Sequence, residues 1–172
     1  MPSERKIIRL SPGRYLGRNI YFVTFCTDGR RPVFCDSAMA SWIVQTLRTA
    51  SEATGFQVHA FCVMPDHVHI VVEGSADQSD LGRFVKALKQ LTAFHYKKES
   101  GETLWQRRFY DHIVRPSDSL DAVIWYVWLN PVRAGLCVDA KSYPHSGSFT
   151  SDWGRKPQAE IGWVPPWKGD HP

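Results

Sequence analysis

The feature that most constrains this fold is a pair of strand-like runs joined by only two residues. The runs Phe56–Met64 and His67–Glu73 have the pattern of strands. Pro65 and Asp66 lie between them and favour a tight turn. The sequence therefore predicts two consecutive strands with a tight turn between them, and the rest of the fold has to be built around this unit.

Helical periodicity flanks the two strands on both sides. A first helix is predicted between a cap at Asp36 or Ser37 and a stop at Gly55. Its apolar positions recur at helical spacing: Met39, Ile43, Leu47 and Ala50. A second helix is predicted from Asp80 to Gly101. Its apolar stripe comprises Leu81, Phe84, Val85, Leu88, Leu91 and His95.

Two further strands and a last helix complete the pattern. Strands are predicted at Asn19–Thr27 and around Phe109–Arg115, and Ser117 or Asp118 is expected to cap a helix that Pro131 stops or kinks. The order β-α-β-β-α-β plus one helix predicts an α+β, ferredoxin-like sandwich, with helices on one sheet face and the third strand beside the first. Residues 1–150 are expected to form one domain, followed by an irregular tail over 151–172.

Composition narrows the functional classes. The chain has 172 residues, 43% of them hydrophobic, and a net charge of +4, which suits one globular domain with a mild preference for polyanionic partners. No run approaches about 18 apolar residues, so no membrane span or membrane partner is expected. The first 20 residues lack the apolar core of a signal peptide. The four cysteines form no C-x-x-C pair, which indicates a reducing, cytoplasmic setting.

Four residues carry the candidate chemistry. His67 and His69 are two apart in a predicted strand, so both imidazoles point to one face, as a divalent metal site requires. Tyr126 and Asn130 are four apart in a predicted helix and share a face of it. If that helix crosses the open face of the sheet, a phenol and an amide oxygen converge on the two imidazoles. The sequence therefore predicts His67, His69 and Asn130 as metal ligands and Tyr126 as a nucleophile.

This set of groups suits phosphodiester cleavage. A divalent ion acts as a Lewis acid on the scissile phosphate, and attack by Tyr126 would leave a 5′-phosphotyrosine and a free 3′-OH that can reverse the step. Each residue alone has an ordinary explanation: exposed histidines, a core tyrosine, an asparagine that ends a helix. Their combination and spacing favour an active site. Tyr110 is the rival nucleophile, and Tyr96 and Tyr143 are weaker candidates.

Three segments resemble a known family. The stretch AFCVMPDHVHIVV resembles the HUH motif of single-tyrosine transposases, and LWQRRFYDHIVR with YVWLNPVRAGL resembles the branch of REP-associated tyrosine transposases. The similarity extends from about Arg14 to Phe149. It implies a ferredoxin-like fold, Mg or Mn at the histidine pair, and single-stranded DNA substrates that carry hairpins. In that family the nucleophile lies four residues before the Asn of an Asn-Pro pair, which here is Tyr126, with Asn130 as the matching ligand.

Six basic residues are candidates for DNA contact. Basic side chains next to aromatic ones neutralise phosphates while bases stack, as between Trp105 and Phe109. The resemblance also implies that the N-terminal region reads bases beside the hairpin. The predicted set is Arg14, Lys86, Lys89, Arg107, Arg108 and Arg133.

Two other functions and several biological details stay open at this stage. The same sandwich can serve as a non-catalytic nucleic-acid-binding module, and a metal-dependent hydrolase that uses water would form no covalent adduct. The sequence leaves open whether the protein is autonomously mobile or processes repeated palindromes of its host genome. The related transposases of small insertion sequences act as dimers, whereas those of the REP-associated branch are competent as monomers. We expect a monomer here.

Overall fold

The computed structural model describes residues 12–159, 162–165 and 168. They form one antiparallel sheet of five strands in the order β4-β1-β3-β2-β5. The elements in chain order are β1 (Ile20–Thr27), α1 (Ser37–Thr54), β2 (Phe56–Met64), β3 (His67–Gly74), α2 (Leu81–Ser100), β4 (Trp105–Ile113), α3 (Leu120–Trp128), α4 (Asn130–Arg133) and β5 (Ser146–Gly147).

The predicted α+β sandwich is confirmed, including its most distinctive pairing. β3 lies beside β1 near the centre of the sheet, with Thr24 opposite His69, while β2 pairs with β3 across the turn at residues 65–66. β4 pairs with the other side of β1. Each long helix therefore connects two strands that are not adjacent in the sheet: β3 lies between β1 and β2, and β1 lies between β3 and β4.

Local signals fix the ends of the two long helices. The Asp36 side chain accepts hydrogen bonds from the backbone N–H of Ala38 and Met39, and α1 ends at Gly55, whose φ of 71° is left-handed. The Asp80 side chain caps α2 in the same way, and Gly101 ends it. Asp is a preferred N-cap and glycine adopts the left-handed C-cap conformation without steric cost, which is why these boundaries are readable in the sequence.

The sheet separates two hydrophobic cores. One face packs against α1 and α2, and its strand residues include Val23, Val68 and Ile70. The other face packs against α3, and its strand residues include Phe22 and Val71. Because successive strand residues point to opposite faces, His67 and His69 lie on the α3 face, together with Val71.

Three sequence expectations were wrong in detail. β4 begins at Trp105 rather than near Phe109, because Trp105 is buried against the α1–α2 core and its indole N–H donates to Thr92. The α3 cap is Ser119, whose hydroxyl accepts from Ala122 N–H, rather than Ser117 or Asp118. Leu91 leaves the buried stripe of α2 and is 49% exposed.

Beyond α3 the helix is interrupted, and the chain later returns to the edge of the sheet. Pro131 lies in the first turn of the short α4, so the predicted stop or kink occurs between α3 and α4. The two-residue β5 pairs with the edge of β2 and was not predicted, since it is too short to show periodicity. No described helix is both long and apolar enough to cross a membrane.

Candidate active site

The histidine pair lies at the start of β3. His69 is 5% exposed and His67 is partly buried. Their Nε2 atoms are 3.1 Å apart, and the two rings meet edge-on with an interplanar angle of 80°. The strand alternation that the sequence predicts therefore brings both imidazoles to one point on the α3 face.

The outer nitrogen of each ring is held by a neighbour. His67 Nδ1 is 2.6 Å from Asp66 Oδ1, and because a carboxylate only accepts, the Nδ1–H donates to it. His69 Nδ1 is 2.7 Å from the Thr24 hydroxyl, which is its neighbour across the β1–β3 pairing. Both rings are thereby oriented with Nε2 facing inward, as metal-ligating histidines usually are.

The spacing of the two Nε2 atoms fits one metal ion. Two nitrogens that bind one ion at about 2.1 Å and at right angles lie roughly 3.0 Å apart, close to the 3.1 Å observed. Within the described residues, no three His, Cys, Asp or Glu side chains come together as a metal site. Among the described residues, these four residue types therefore offer two histidine ligands at this point and no third.

Both imidazoles are kept in the neutral form that binds metals. Burial lowers the pKa of His69 well below its usual value, and the neighbouring His67 lowers it further. Burial also lowers the pKa of His67, although the hydrogen bond that His67 donates to Asp66 opposes this shift. Neutral imidazole is the ligand form, so the pair needs no deprotonation at neutral pH.

Asn130 follows the break after α3 and is 7% exposed. Its amide nitrogen donates to the backbone oxygens of Tyr126 at 3.0 Å and Val127 at 3.1 Å. Both partners are acceptors, which identifies the nitrogen and the oxygen of the amide. The oxygen is then the atom that faces away from the helix end and suits a hard cation.

Tyr126 is buried on the same side of the sheet. Its side chain is 4% exposed, and its phenol oxygen has no hydrogen-bond partner among the described residues. The ring meets Phe22 edge-on at 6.0 Å, and Phe22 stacks on His69 at 5.4 Å. Phe22 thus links the tyrosine to the histidine pair. A buried hydroxyl without a partner is costly, and a catalytic role is one of the reasons for which proteins keep such a group.

Cationic and aromatic side chains surround the Tyr126 ring. The Arg133 guanidinium lies 4.1 Å from the ring centroid, and its Nη2 donates to the Tyr126 backbone oxygen at 2.6 Å. Lys168 Nζ lies 5.7 Å from the same centroid. Trp163, which is 9% exposed, meets the ring edge-on at 5.2 Å. Burial lowers the pKa of Arg133, and its interaction with the Tyr126 side chain opposes that shift; this positive charge is poorly solvated and favours an anion nearby.

The rival tyrosines differ in position. Tyr110 on β4 lies opposite Thr24 and so shares the face of the histidine pair, and it is partly exposed. Tyr143 donates its hydroxyl to Val63 O at 2.9 Å, and burial raises its pKa to about 12. The Tyr96 hydroxyl bonds to Glu102 on the far side of the sheet, where α2 packs.

The six candidate DNA contacts are scattered. Arg133 alone touches Tyr126. Arg107 and Arg108 are exposed where β4 shifts register on the sheet edge. Lys89 donates to the Gln106 backbone oxygen at 2.7 Å, and burial lowers its pKa. The two remaining residues are exposed: Arg14 before β1 and Lys86 on α2.

Sequence reasoning missed the residues that support the site. Thr24 has no motif signal, because only the β1–β3 register brings it to His69. Trp163 lies in the tail that composition marks as irregular. Asp66 had a signal, since it directly precedes His67 and an acidic neighbour commonly orients a metal-binding histidine. Its turn position concealed that role.

Comparison with known proteins finds relatives in sequence and in fold. A REP-associated tyrosine transposase of Escherichia coli is 29% identical over 109 residues, covering 57% of this chain and 62% of the relative. A protein of Haemophilus influenzae that carries the same name as a provisional assignment is 28% identical over 127 residues. The match covers 62% of this chain and 71% of the relative. The structure of a REP-associated tyrosine transposase bound to a REP hairpin superposes with a TM-score of 0.69 at 20% identity, covering 96% and 92% of the two chains.

The fold and the α3 face define the class first: an α+β protein that brings a histidine pair and a tyrosine to the same side of one sheet. The particular family follows from the sequence. The family model described as "Transposase IS200 like" matches residues 17–129, well over half of the chain. The chain belongs to the IS200-like transposase family.

Proposed function

We propose that this transposase cleaves and rejoins single-stranded DNA at hairpin sites through a covalent bond to Tyr126, in the manner expected for the REP-associated branch. The observation that carries the proposal is the histidine pair, whose Nε2 atoms converge at 3.1 Å while both Nδ1 atoms are engaged by neighbours. Apolar side chains would fill this buried space at a lower free-energy cost than two neutral, oriented imidazoles beside a buried tyrosine. The histidines are therefore better explained by a function than by packing.

The metal site consists of His67, His69 and the side-chain oxygen of Asn130, and its ion is Mg or Mn. When bound, such an ion polarises a phosphate and stabilises a leaving oxygen. Three protein ligands leave positions free for DNA and water. Asp66 and Thr24 hold the two rings in place, so the ligands are pre-organised before DNA arrives.

Tyr126 supplies the nucleophile. Its phenol oxygen forms a bond to the scissile phosphorus and gives its proton to solvent, while the bond from phosphorus to the 3′ oxygen breaks and that oxygen takes a proton from solvent to leave as a 3′-OH. The DNA then carries a 5′-phosphotyrosine. Attack of a 3′-OH on that linkage breaks the bond to tyrosine and joins a strand, so the energy of the phosphodiester is conserved. Arg133, over the tyrosine ring, is suited to neutralise the phosphate.

The DNA substrate is a single strand that carries a hairpin. A structural relative was solved with a REP hairpin bound, and the net charge of +4 favours a polyanion. We assign phosphate or base contacts to Arg14, Lys86, Lys89, Arg107 and Arg108 in addition to Arg133. Residues 1–150 form the catalytic domain in this proposal, and the protein acts as a monomer in the cytoplasm.

Covalent trapping tests this function directly. The full chain is incubated in Mn or Mg with hairpin DNA labelled at its 3′ end, which is the end of the fragment that would be joined to the tyrosine, and the products are separated on a denaturing gel. We expect a labelled protein–DNA band that requires the metal and disappears after protease treatment. Binding without any adduct, across hairpins of varied flanking sequence, would instead indicate a non-catalytic binding module. Cleavage without an adduct would indicate a hydrolase that uses water.

A further inference from the structure

The backbone of Arg30 is unusual. It has a φ of 56°, the only positive value at a residue other than glycine in the described part of the chain. Left-handed backbone is unfavourable for an arginine, and such strain persists where surrounding contacts require it. The residue ends the 3-10 turn Asp28–Arg30 that follows β1, and its side chain contacts Asp66 in the turn before His67. Contacts of the Arg30 side chain must therefore stabilise this conformation enough to offset the unfavourable backbone energy.

Two contacts hold the Arg30 guanidinium. Its Nε lies 2.9 Å from Asp66 Oδ2, and its Nη1 donates to Cys26 Sγ at 2.8 Å. The other carboxylate oxygen of Asp66 accepts from His67 Nδ1 at 2.6 Å. Each oxygen of Asp66 thus has its own partner, and a continuous chain of contacts runs from Arg30 through Asp66 to His67.

The contacts from Arg30 through Asp66 determine which nitrogen of His67 carries the proton. A carboxylate offers no proton, so it selects the ring with hydrogen on Nδ1 and a free electron pair on Nε2. The arginine fixes the rotation of the carboxylate by occupying Oδ2. His69 is held differently: the Thr24 hydroxyl at its Nδ1 can donate or accept, and without a metal ion its Nε2–H can donate to His67 Nε2 at 3.1 Å.

We infer that Arg30 and Asp66 are positioning residues that lock His67 with Nε2 unprotonated and aimed at the metal. The inference deepens the proposed function, since it rests on His67 being a ligand. It assigns the strained arginine a purpose outside the matched HUH motif. Arg30 would act on the metal only through Asp66.

The backbone around Asp66 is secured independently of its side chain. The Asp66 carbonyl accepts from Thr27 N–H at 3.0 Å and from the Thr27 hydroxyl at 2.9 Å. The preceding Pro65 carbonyl accepts from Phe34 N–H at 2.9 Å. Substitutions of the Asp66 carboxylate therefore leave the turn anchored, and a loss of metal binding can be separated from a loss of fold.

The test compares Asp66→Asn and Arg30→Gln with matched controls. Arg31→Gln removes the adjacent arginine, whose ion pair is with Glu102, and Asp77→Asn removes an exposed carboxylate paired with Arg18. Two quantities are measured on the full chain: the Mn dissociation constant by titration calorimetry, and the ¹⁵N chemical shifts of the His67 ring in metal-free protein, which report the tautomer. Thermal unfolding checks the fold of each variant.

We expect Asp66→Asn to weaken Mn binding about 10- to 100-fold, the usual range for such partners, and to move the His67 proton partly to Nε2. Arg30→Gln should act in the same direction by roughly 10-fold, and neither control should change either quantity. An unchanged His67 tautomer and control-like Mn affinity in both variants would overturn the inference. A wild-type protein that binds no Mn would overturn the metal site of the proposed function instead, while the metal-free tautomer would still decide the roles of Arg30 and Asp66.

Discussion

Replacing Tyr126 with Phe should abolish the covalent adduct and yet leave the protein at least as stable. The substitution removes one oxygen that is buried and has no hydrogen-bond partner among the described residues. It keeps the ring, and with it the edge-on contacts to Phe22 and Trp163 and the Arg133 stacking at 4.1 Å. A buried polar group without a partner costs about 1–3 kcal/mol.

The lower end of that range applies, because the contacts of the ring do not change. We therefore expect Tyr126→Phe to gain about 1 kcal/mol in the free energy of unfolding. For a chain of this size that corresponds to a rise of roughly 2–4 °C in Tm. A gain in stability on loss of a catalytic group is the usual sign of a site that is strained for function.

Denaturant unfolding and the trapping gel measure the two effects on the same preparations. Tyr143→Phe is the matched control, since its hydroxyl donates to Val63 O at 2.9 Å and its loss should cost about 1 kcal/mol without affecting the adduct. A Tyr126→Phe protein that still forms the adduct refutes the assignment of the nucleophile, and Tyr110→Phe then becomes the variant to examine. A destabilised Tyr126→Phe protein would show that the phenol has a partner after all.

Three further predictions concern the ligands and the frame around them. His69→Ala should remove Mn binding in calorimetry and also cost about 1–3 kcal/mol in denaturant unfolding, because it leaves the buried Thr24 hydroxyl without its partner; retained Mn affinity would exclude His69 as a ligand. Asn130→Ala removes two hydrogen bonds to backbone oxygens, so we expect a loss of about 1–2 kcal/mol together with weaker Mn binding, whereas a loss of stability alone would leave Asn130 a purely structural role. Gly74→Ala should destabilise by at least about 1–3 kcal/mol, since a Cβ there would collide with the Gly17 carbonyl; Gly13→Ala, which meets nothing within 4 Å, is its control in thermal unfolding.

The elements of the fold were predictable where local chemistry determines them. Asp36 and Gly55 mark the two ends of α1, and Pro65–Asp66 forms the predicted turn. Prediction was less accurate where tertiary contacts decide. Trp105 joins β4 because it packs into a core that distant segments build, and no pattern near it in the sequence shows that.

The residues of the candidate site likewise fall into those that local sequence predicts and those that only tertiary contacts reveal. His67 and His69 are recognisable because a two-residue spacing in a strand is itself a geometric statement. Arg30 and Thr24 are not, because their contacts depend on the path of β1 past β3. The role of Trp163 is even harder to predict from the sequence. Its ring packs against Phe22 at 5.2 Å only because of where the tail returns over the sheet.

The position of Trp163 has a kinetic consequence. Its ring rests against both Tyr126 and Phe22, and the phenol beneath it is almost wholly sequestered. On the proposed mechanism a phosphate has to reach this buried hydroxyl, so we expect cleavage to follow a unimolecular opening step in which the indole moves aside. The rate of adduct formation should then level off at high DNA concentration, at a value set by this opening and not by the chemistry. Substituting the indole would raise that plateau and leave the metal dependence unchanged.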